Sequence, residues 1–137
     1  MEVSINKKEL RNMIKNHYEN KIGISNVRVY FSSRKEKTNS LCFSSGDPLY
    51  YAVTTVTVEG SFSHKEKVFP FYEEVNMEKI NDIMLENFDT EKYDISNVSL
   101  DNGVEFCLFS RDGYKPYFYG VTLDVKEKAK VNFKIPI

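Results

Sequence analysis

The sequence predicts an α+β fold: a mainly antiparallel sheet of about six or seven strands, ending in a C-terminal meander, with two helices packed on one face. Three observations support this prediction. Two segments carry apolar residues at helical spacing, several others alternate apolar with polar residues, and two glycine turns occur in the last third of the chain. With 137 residues, 41% of them hydrophobic, the chain is long enough for one core. We therefore expect a single α+β domain over residues 1–137.

Both predicted helices begin after an asparagine. Asn6 is followed three residues later by Glu9, a pattern typical of a helix start, and Gly23 favours a stop, so we expect the first helix over roughly residues 7–21. Asn76 is the expected cap of the second helix. The apolar stripes are formed by Leu10, Met13, Ile14 and Tyr18 in the first helix and by Met77, Ile80, Ile83, Met84 and Phe88 in the second.

Strands are expected where apolar residues alternate or β-branched residues cluster. These segments are Val27–Phe31, Leu49–Phe62 and, near the C-terminus, Val131–Ile135. Val68–Tyr72 contains Pro70, which lacks the N–H that a sheet ladder requires, so we expect an edge strand there. Residues 32–48 are polar at both ends and form either a long mobile loop or two loops around a brief strand at Leu41–Phe43.

The C-terminal third predicts a three-stranded meander from Ile95 to Val125. Its turns are a three-residue loop at Asp101–Gly103 and a two-residue loop at Asp112–Gly113. These loops pair Leu100 with Val104, Val98 with Phe106, Leu108 with Tyr117, Phe106 with Tyr119 and Val104 with Val121. This register places Tyr117 and Tyr119 on the core face. It leaves Arg111, Tyr114 and Lys115 at the tip of the second turn.

Composition and charge argue against several classes of partner and indicate a cellular compartment. The formal net charge of −1 provides no general field for nucleic acid or anionic lipid, so such partners require a local patch. The longest apolar stretches are too short to span a membrane, and the N-terminus lacks the pattern of a signal peptide. We therefore expect a cytoplasmic protein without a membrane partner. In that compartment Cys42 and Cys107 remain reduced thiols.

A search for catalytic chemistry finds no motif for a nucleophile, a phosphate-binding loop or a metal site. His17 and His64 have no Cys, Asp or Glu at a metal-ligand spacing, so we expect no metal and no cofactor. Glu73–Glu74, just before the second helix, and the pair Asp82 and Glu86 within it are best explained as helix-end and solvated charges. We accordingly expect no catalytic residues.

The candidate binding residues are cations and a tyrosine in exposed loops. Arg34 and Lys35 belong to the one locally basic loop, and Arg111, Tyr114 and Lys115 flank the predicted hairpin tip. Loop residues on a rigid scaffold often carry function, and a tyrosine beside cations can stack a base or anchor a protein contact. Nucleic-acid binding is less favoured, because it requires that Arg28, Arg34, Lys35, Lys37, Arg111 and Lys115 share one face.

Two hypotheses about function follow. The first is a non-catalytic binding or interaction module that binds a protein partner or a small ligand, with a homo-oligomer as one form of association. The excess of lysine over arginine is typical of AT-rich genomes and suggests a phage or mobile-element inhibitor that binds a host protein or sequesters a small ligand. The alternative is a small hydrolase or nucleotide-modifying enzyme whose site is assembled by the fold.

Overall fold

The computed structural model describes residues 1–41, 48–111 and 113–129. In this part of the chain, six antiparallel strands form two three-stranded sheets, of order β1-β6-β5 and β2-β3-β4, accompanied by two α-helices. The elements are β1 (Glu2–Asn6), α1 (Lys7–Asn16), a π-helical turn (His17–Ile22), β2 (Ser25–Leu41), β3 (Pro48–His64), β4 (Lys67–Val75), α2 (Met77–Glu86), β5 (Tyr93–Phe106) and β6 (Tyr114–Glu127). The predicted α+β class is confirmed, with the strands divided between two sheets.

The helices begin where the sequence predicts. The Asn6 side chain accepts a hydrogen bond from the backbone N–H of Glu9 at 2.8 Å, and Asn76 does the same for Lys79 at 2.8 Å. Gly23 ends the helical segment in the left-handed conformation, with φ +83°. Helix α1 contacts β2, β6 and α2, so the core lies where both sheets meet the helices. The helical residues at its centre are Leu10, Ile14, Tyr18, Ile80, Ile83 and Met84.

Strand β2 extends ten residues beyond the predicted strand end at Phe31 and occupies most of the predicted loop. Ser33 pairs with Thr54, Lys35 with Ala52, and the strand reaches Leu41 opposite Pro48. The loop prediction is therefore wrong for residues 32–41, because the long β3 offers a ladder partner to a segment with little hydrophobic periodicity of its own. Residues 42–47, including most of the predicted brief strand, lie outside the described residues.

The predicted meander is wrong, because β5 passes through Asp101–Gly103 without turning. Gly103 pairs with Tyr117 in the part of the ladder that runs from Asn102 opposite Phe118 to Phe106 opposite Tyr114, and a Cβ at this glycine would lie 2.3 Å from the Tyr117 hydroxyl oxygen. The glycine thus makes room for an aromatic ring and does not bend the chain. β5 and β6 form one hairpin, in which the last pair is Phe106 with Tyr114, so the connection is longer than the predicted two-residue turn at Asp112–Gly113. Asp112 itself lies outside the described residues.

The observed register reverses the predicted faces of β6. Phe118 is buried, whereas Tyr119 is 54% exposed, so the prediction that Tyr117 and Tyr119 share the core face is wrong. At Gly120, with φ +147°, the pairing with β5 shifts by one residue. The even-numbered Phe118 is therefore buried before the shift, and side chains at odd-numbered positions are buried after it. Beyond this bulge the predicted core residues Val121, Leu123 and Val125 are buried.

Strand β1 was not predicted, and it covers only part of one edge of β6. It pairs with β6 only from Glu2 opposite Asp124 to Asn6 opposite Gly120. Helix α1 begins at the next residue, Lys7, so the chain leaves the sheet halfway along β6. The predicted C-terminal strand Val131–Ile135 lies outside the described residues.

Candidate functional site

Two of the five predicted binding residues meet where the sheets approach each other. The Lys35 ammonium donates a hydrogen bond to the backbone carbonyl of Tyr114 at 2.8 Å. The same ammonium lies 5.3 Å from the ring centroid of Tyr50, whose ring is 5.9 Å from that of Tyr114. Lys35 therefore links β2 to the start of β6, across 79 residues of sequence.

The other three predicted residues are not gathered at this point. Arg34 forms an ion pair with Glu36, with Nε and Oε1 2.7 Å apart, and both side chains are exposed. Arg111 is exposed in the β5–β6 connection, and Lys115 is exposed on β6 opposite Glu105. Arg28 pairs with Glu59 at 3.6 Å. Because Arg28 and Arg34 are occupied by carboxylates, the six cations considered for nucleic acid do not form one free basic face.

An open cleft lies beside the half of β6 that β1 leaves uncovered. Its volume is about 360 Å³. We call it the basic cleft, and its lining residues are Lys7, Phe31, Ser33, Lys115, Pro116, Tyr117 and Phe118. The lining includes two lysines, three aromatic rings and no carboxylate. Among the predicted candidates, only Lys115 belongs to it.

Cations from α1 flank the aromatic wall of the basic cleft. The ring of Phe31 packs against that of Phe118, with centroids 5.0 Å apart. Lys7 Nζ and Arg11 Cζ, one helical turn apart, lie 6.0 and 5.1 Å from the Phe31 centroid. Within the described part of the chain, Lys7, Arg11 and Lys115 form no ion pair with a carboxylate. Their charges are therefore available to an anion.

Lys7, Arg11 and Phe31 were not predicted to be parts of a site. Lys7 and Arg11 are four residues apart on a predicted helix, a spacing that equally fits an ordinary solvated face. Phe31 was identified only as the end of an alternating strand. Its partner Phe118 lies between Tyr117 and Tyr119, which were both predicted to face the core, so the wrong register directed Phe118 to the opposite face.

A second polar cluster joins the π-helical turn to α2. His17 is only 8% exposed, and its Nδ1 lies 3.0 and 2.9 Å from the two carboxylate oxygens of Glu86. Lys21 Nζ lies 3.6 Å from the same carboxylate. His17 Nε2 is buried without a hydrogen-bond partner among the described residues. Glu86 was predicted to be a solvated charge; it instead holds the histidine of the neighbouring helical segment.

Tyr18 forms the other polar link of the π-helical turn. Its ring is fully buried, and its hydroxyl donates a hydrogen bond to the Glu73 carboxylate on β4. Burial raises the pKa of Tyr18 well above its ordinary value, and the hydrogen bond and negative charge of Glu73 raise this pKa further. Glu73 is therefore a structural partner in a strand. It was predicted to be a helix-end charge.

The β5–β6 connection presents apolar side chains to solvent. Phe106, Leu108 and Phe109 are 71%, 81% and 99% exposed. We call these three residues the apolar tip. Phe106 and Leu108 were predicted to face the core, and the changed register moves both out of it. Large exposed apolar groups that adjoin one another are typical of interaction surfaces.

The described residues contain no cluster of three His, Cys, Asp or Glu side chains arranged to hold a metal ion. No helix in the same residues has the length and hydrophobicity to cross a bilayer. The fold and its cleft together define a two-sheet α+β protein with a basic, aromatic-lined surface. Comparison with protein-family models, curated proteins and solved structures finds no match.

Proposed function

We propose that this protein is a non-catalytic binding module that takes up a small anionic ligand in the basic cleft. The main supporting observation is that Lys7, from α1, and Lys115, from β6, both line this cleft, whose lining residues include no carboxylate. Pockets that bind small molecules contain aromatic side chains and a few convergent polar groups, and this cleft has both. We place this activity in the cytoplasm, where Cys107, a free thiol, stays reduced.

The alternative of a small hydrolase or nucleotide-modifying enzyme would rely on the His17–Glu86 pair. A carboxylate that orients a histidine is a common arrangement in acid–base catalysis. His17 is buried, however, and it is not among the residues that line the basic cleft. The pair joins two helical segments and has no described nucleophile in contact with it. Binding therefore explains more of the geometry than catalysis does.

Removal of the two cleft lysines tests the proposal. We expect the double variant Lys7→Gln/Lys115→Gln to bind small organic anions at least about tenfold more weakly, a loss of roughly 1.4 kcal/mol. Neutral glutamine avoids a like-charge pair with Glu105, which lies opposite Lys115. The measurement is isothermal titration at low ionic strength with phosphate, citrate and mononucleotides.

Lys65→Gln/Lys67→Gln is the matched control, because these lysines lie at the β3–β4 turn and do not line the cleft. The control should bind as the unmodified protein does. An equal loss in both double variants would show that net charge, and not the cleft, governs binding and would contradict the proposal.

The apolar tip favours a second form of binding, to a protein partner. Exposed aromatic and leucine side chains at a hairpin end can fill a pocket on another protein, as a host-directed inhibitor of phage or mobile-element origin would require. We expect Leu108→Ser/Phe109→Ser to change the free energy of unfolding by less than about 0.5 kcal/mol, since both side chains are already exposed.

The same double variant should abolish capture of any protein that the unmodified chain retains from an extract of its source cells. Urea denaturation and affinity capture with mass spectrometry are the two measurements. A destabilisation above about 2 kcal/mol would show instead that these side chains are buried in solution. If capture were unchanged, the apolar tip would not be part of the binding surface.

A further inference from the structure

We propose that the ligand of the basic cleft is a phosphate monoester of a flat aromatic group, of the size of a mononucleotide. This inference rests on the proposed binding function and specifies its ligand. Three properties of the cleft support it: its charge, its lining and its dimensions. A fourth, the presence of Pro116 on the uncovered part of β6, argues against a peptide ligand.

The charge of the cleft suits a compact dianion. Lys7 and Lys115 approach from different elements, and Arg11 lies one turn beyond Lys7 on α1. Lysine ammonium groups are compact point charges that bind phosphate well. Lys7 is the first residue of α1, so the positive end of the helix dipole adds to the same side of the cleft.

The lining suits a flat apolar body attached to that anion. Phe31 and Tyr117, both half-buried, line the cleft together with the ring of Pro116, and the buried ring of Phe118 packs against that of Phe31. Aromatic side chains bind bases through stacking and do so with little dependence on base identity. A volume of about 360 Å³ lies at the lower end of the range for small-molecule sites, which fits one nucleotide better than a dinucleotide or a polymer.

Pro116 argues against the main competing occupant, an extended peptide that would add to β6 where β1 ends. Such strand addition depends on backbone hydrogen bonds along a sheet edge. Proline has no N–H to donate, and it is one of the residues that blunt sheet edges against pairing. Recognition in the cleft therefore falls to side chains, as expected for a small ligand.

The test is isothermal titration of the full chain with adenosine monophosphate, adenosine and inorganic phosphate in separate experiments. We expect the monophosphate to bind at least about tenfold more tightly than either part alone, because only it engages both the cations and the rings. Lys115→Gln should weaken monophosphate binding at least about fivefold and leave the weak binding of adenosine unchanged. Lys67→Gln should change neither.

Equal binding of the monophosphate and inorganic phosphate would overturn this inference, because the rings would then contribute nothing. If citrate or another carboxylate binds in a Lys115-dependent manner and the monophosphate does not, the ligand class is wrong and the proposed binding function stands. If no anion binds in a Lys115-dependent manner, both are wrong.

Discussion

Gly120→Ala should destabilise the protein by at least about 3 kcal/mol, the largest effect that we expect from a single methyl group. An added Cβ would lie 1.9 Å from the carbonyl oxygen of Ile5 and 3.0 Å from the carbonyl carbon of Asn6, both backbone atoms of β1. A backbone cannot move aside as a flexible side chain can. The φ of +147° at this position adds further strain for any residue with a Cβ.

Gly23→Ala provides the matched control, because Gly23 also has a positive φ, +83°, but a Cβ there would have no neighbour within 4 Å. Gly23→Ala should lower the free energy of unfolding by only about 1–2 kcal/mol, which is the cost of placing an alanine in the left-handed conformation. Urea denaturation of both variants separates the two contributions. Equal losses of stability in both variants would contradict the close packing of the β1 backbone against Gly120, and with it the placement of Lys7, which follows β1 directly.

Tyr18→Phe should change how stability depends on alkaline pH. The pKa of Tyr18 is raised above its ordinary value of 10.0, chiefly by burial and then by Glu73, so the folded state holds this proton more tightly than the unfolded state does. The contribution is fully present below pH 10 and is lost as pH rises above it, by up to about 1.4 kcal/mol per pH unit. Phenylalanine has no proton to lose.

Two measurements test this pH dependence of stability. At pH 8 the variant should be less stable by about 1.5–3 kcal/mol, because the charged Glu73 carboxylate loses the hydrogen bond that the Tyr18 hydroxyl donates to it. Between pH 10 and 11.5, urea denaturation should show the two stability curves converging. Tyr119→Phe is the control. The Tyr119 hydroxyl donates a hydrogen bond to Glu105 at 2.5 Å on an exposed face, so its removal should lower the free energy of unfolding less. Curves that remain parallel above pH 10 would contradict the buried Tyr18–Glu73 link.

Local signals predicted the helices well, and the reasons are local. The Asn6 and Asn76 caps act on backbone groups three residues away, and the apolar stripes need only helical periodicity to select a face. Pro70 likewise predicted that β4 is an edge strand, because proline cannot donate to a sheet ladder. Among the described strands, β4 pairs only with β3. In each case the determining residues are close in sequence.

The errors occurred where a distant residue decides the local structure. Gly103 has the sequence context of a turn, but its lack of a side chain accommodates the ring of Tyr117 on the next strand. Gly120 lies where the buried face of β6 changes, and the backbone of β1, at the other end of the chain in sequence, packs closely against it. These two errors also hid most of the basic cleft, since Lys7 and Phe31 meet Lys115 only in the observed register.

Amide chemical-shift mapping on a uniformly ¹⁵N-labelled chain titrated with adenosine monophosphate would show whether ligand binds in the basic cleft. We expect the shifts to concentrate on residues 7, 31, 33, 115, 117 and 118, from three separate elements, and to saturate together. Shifts confined to residues 106–111, or none above those produced by sodium chloride at equal ionic strength, would contradict it.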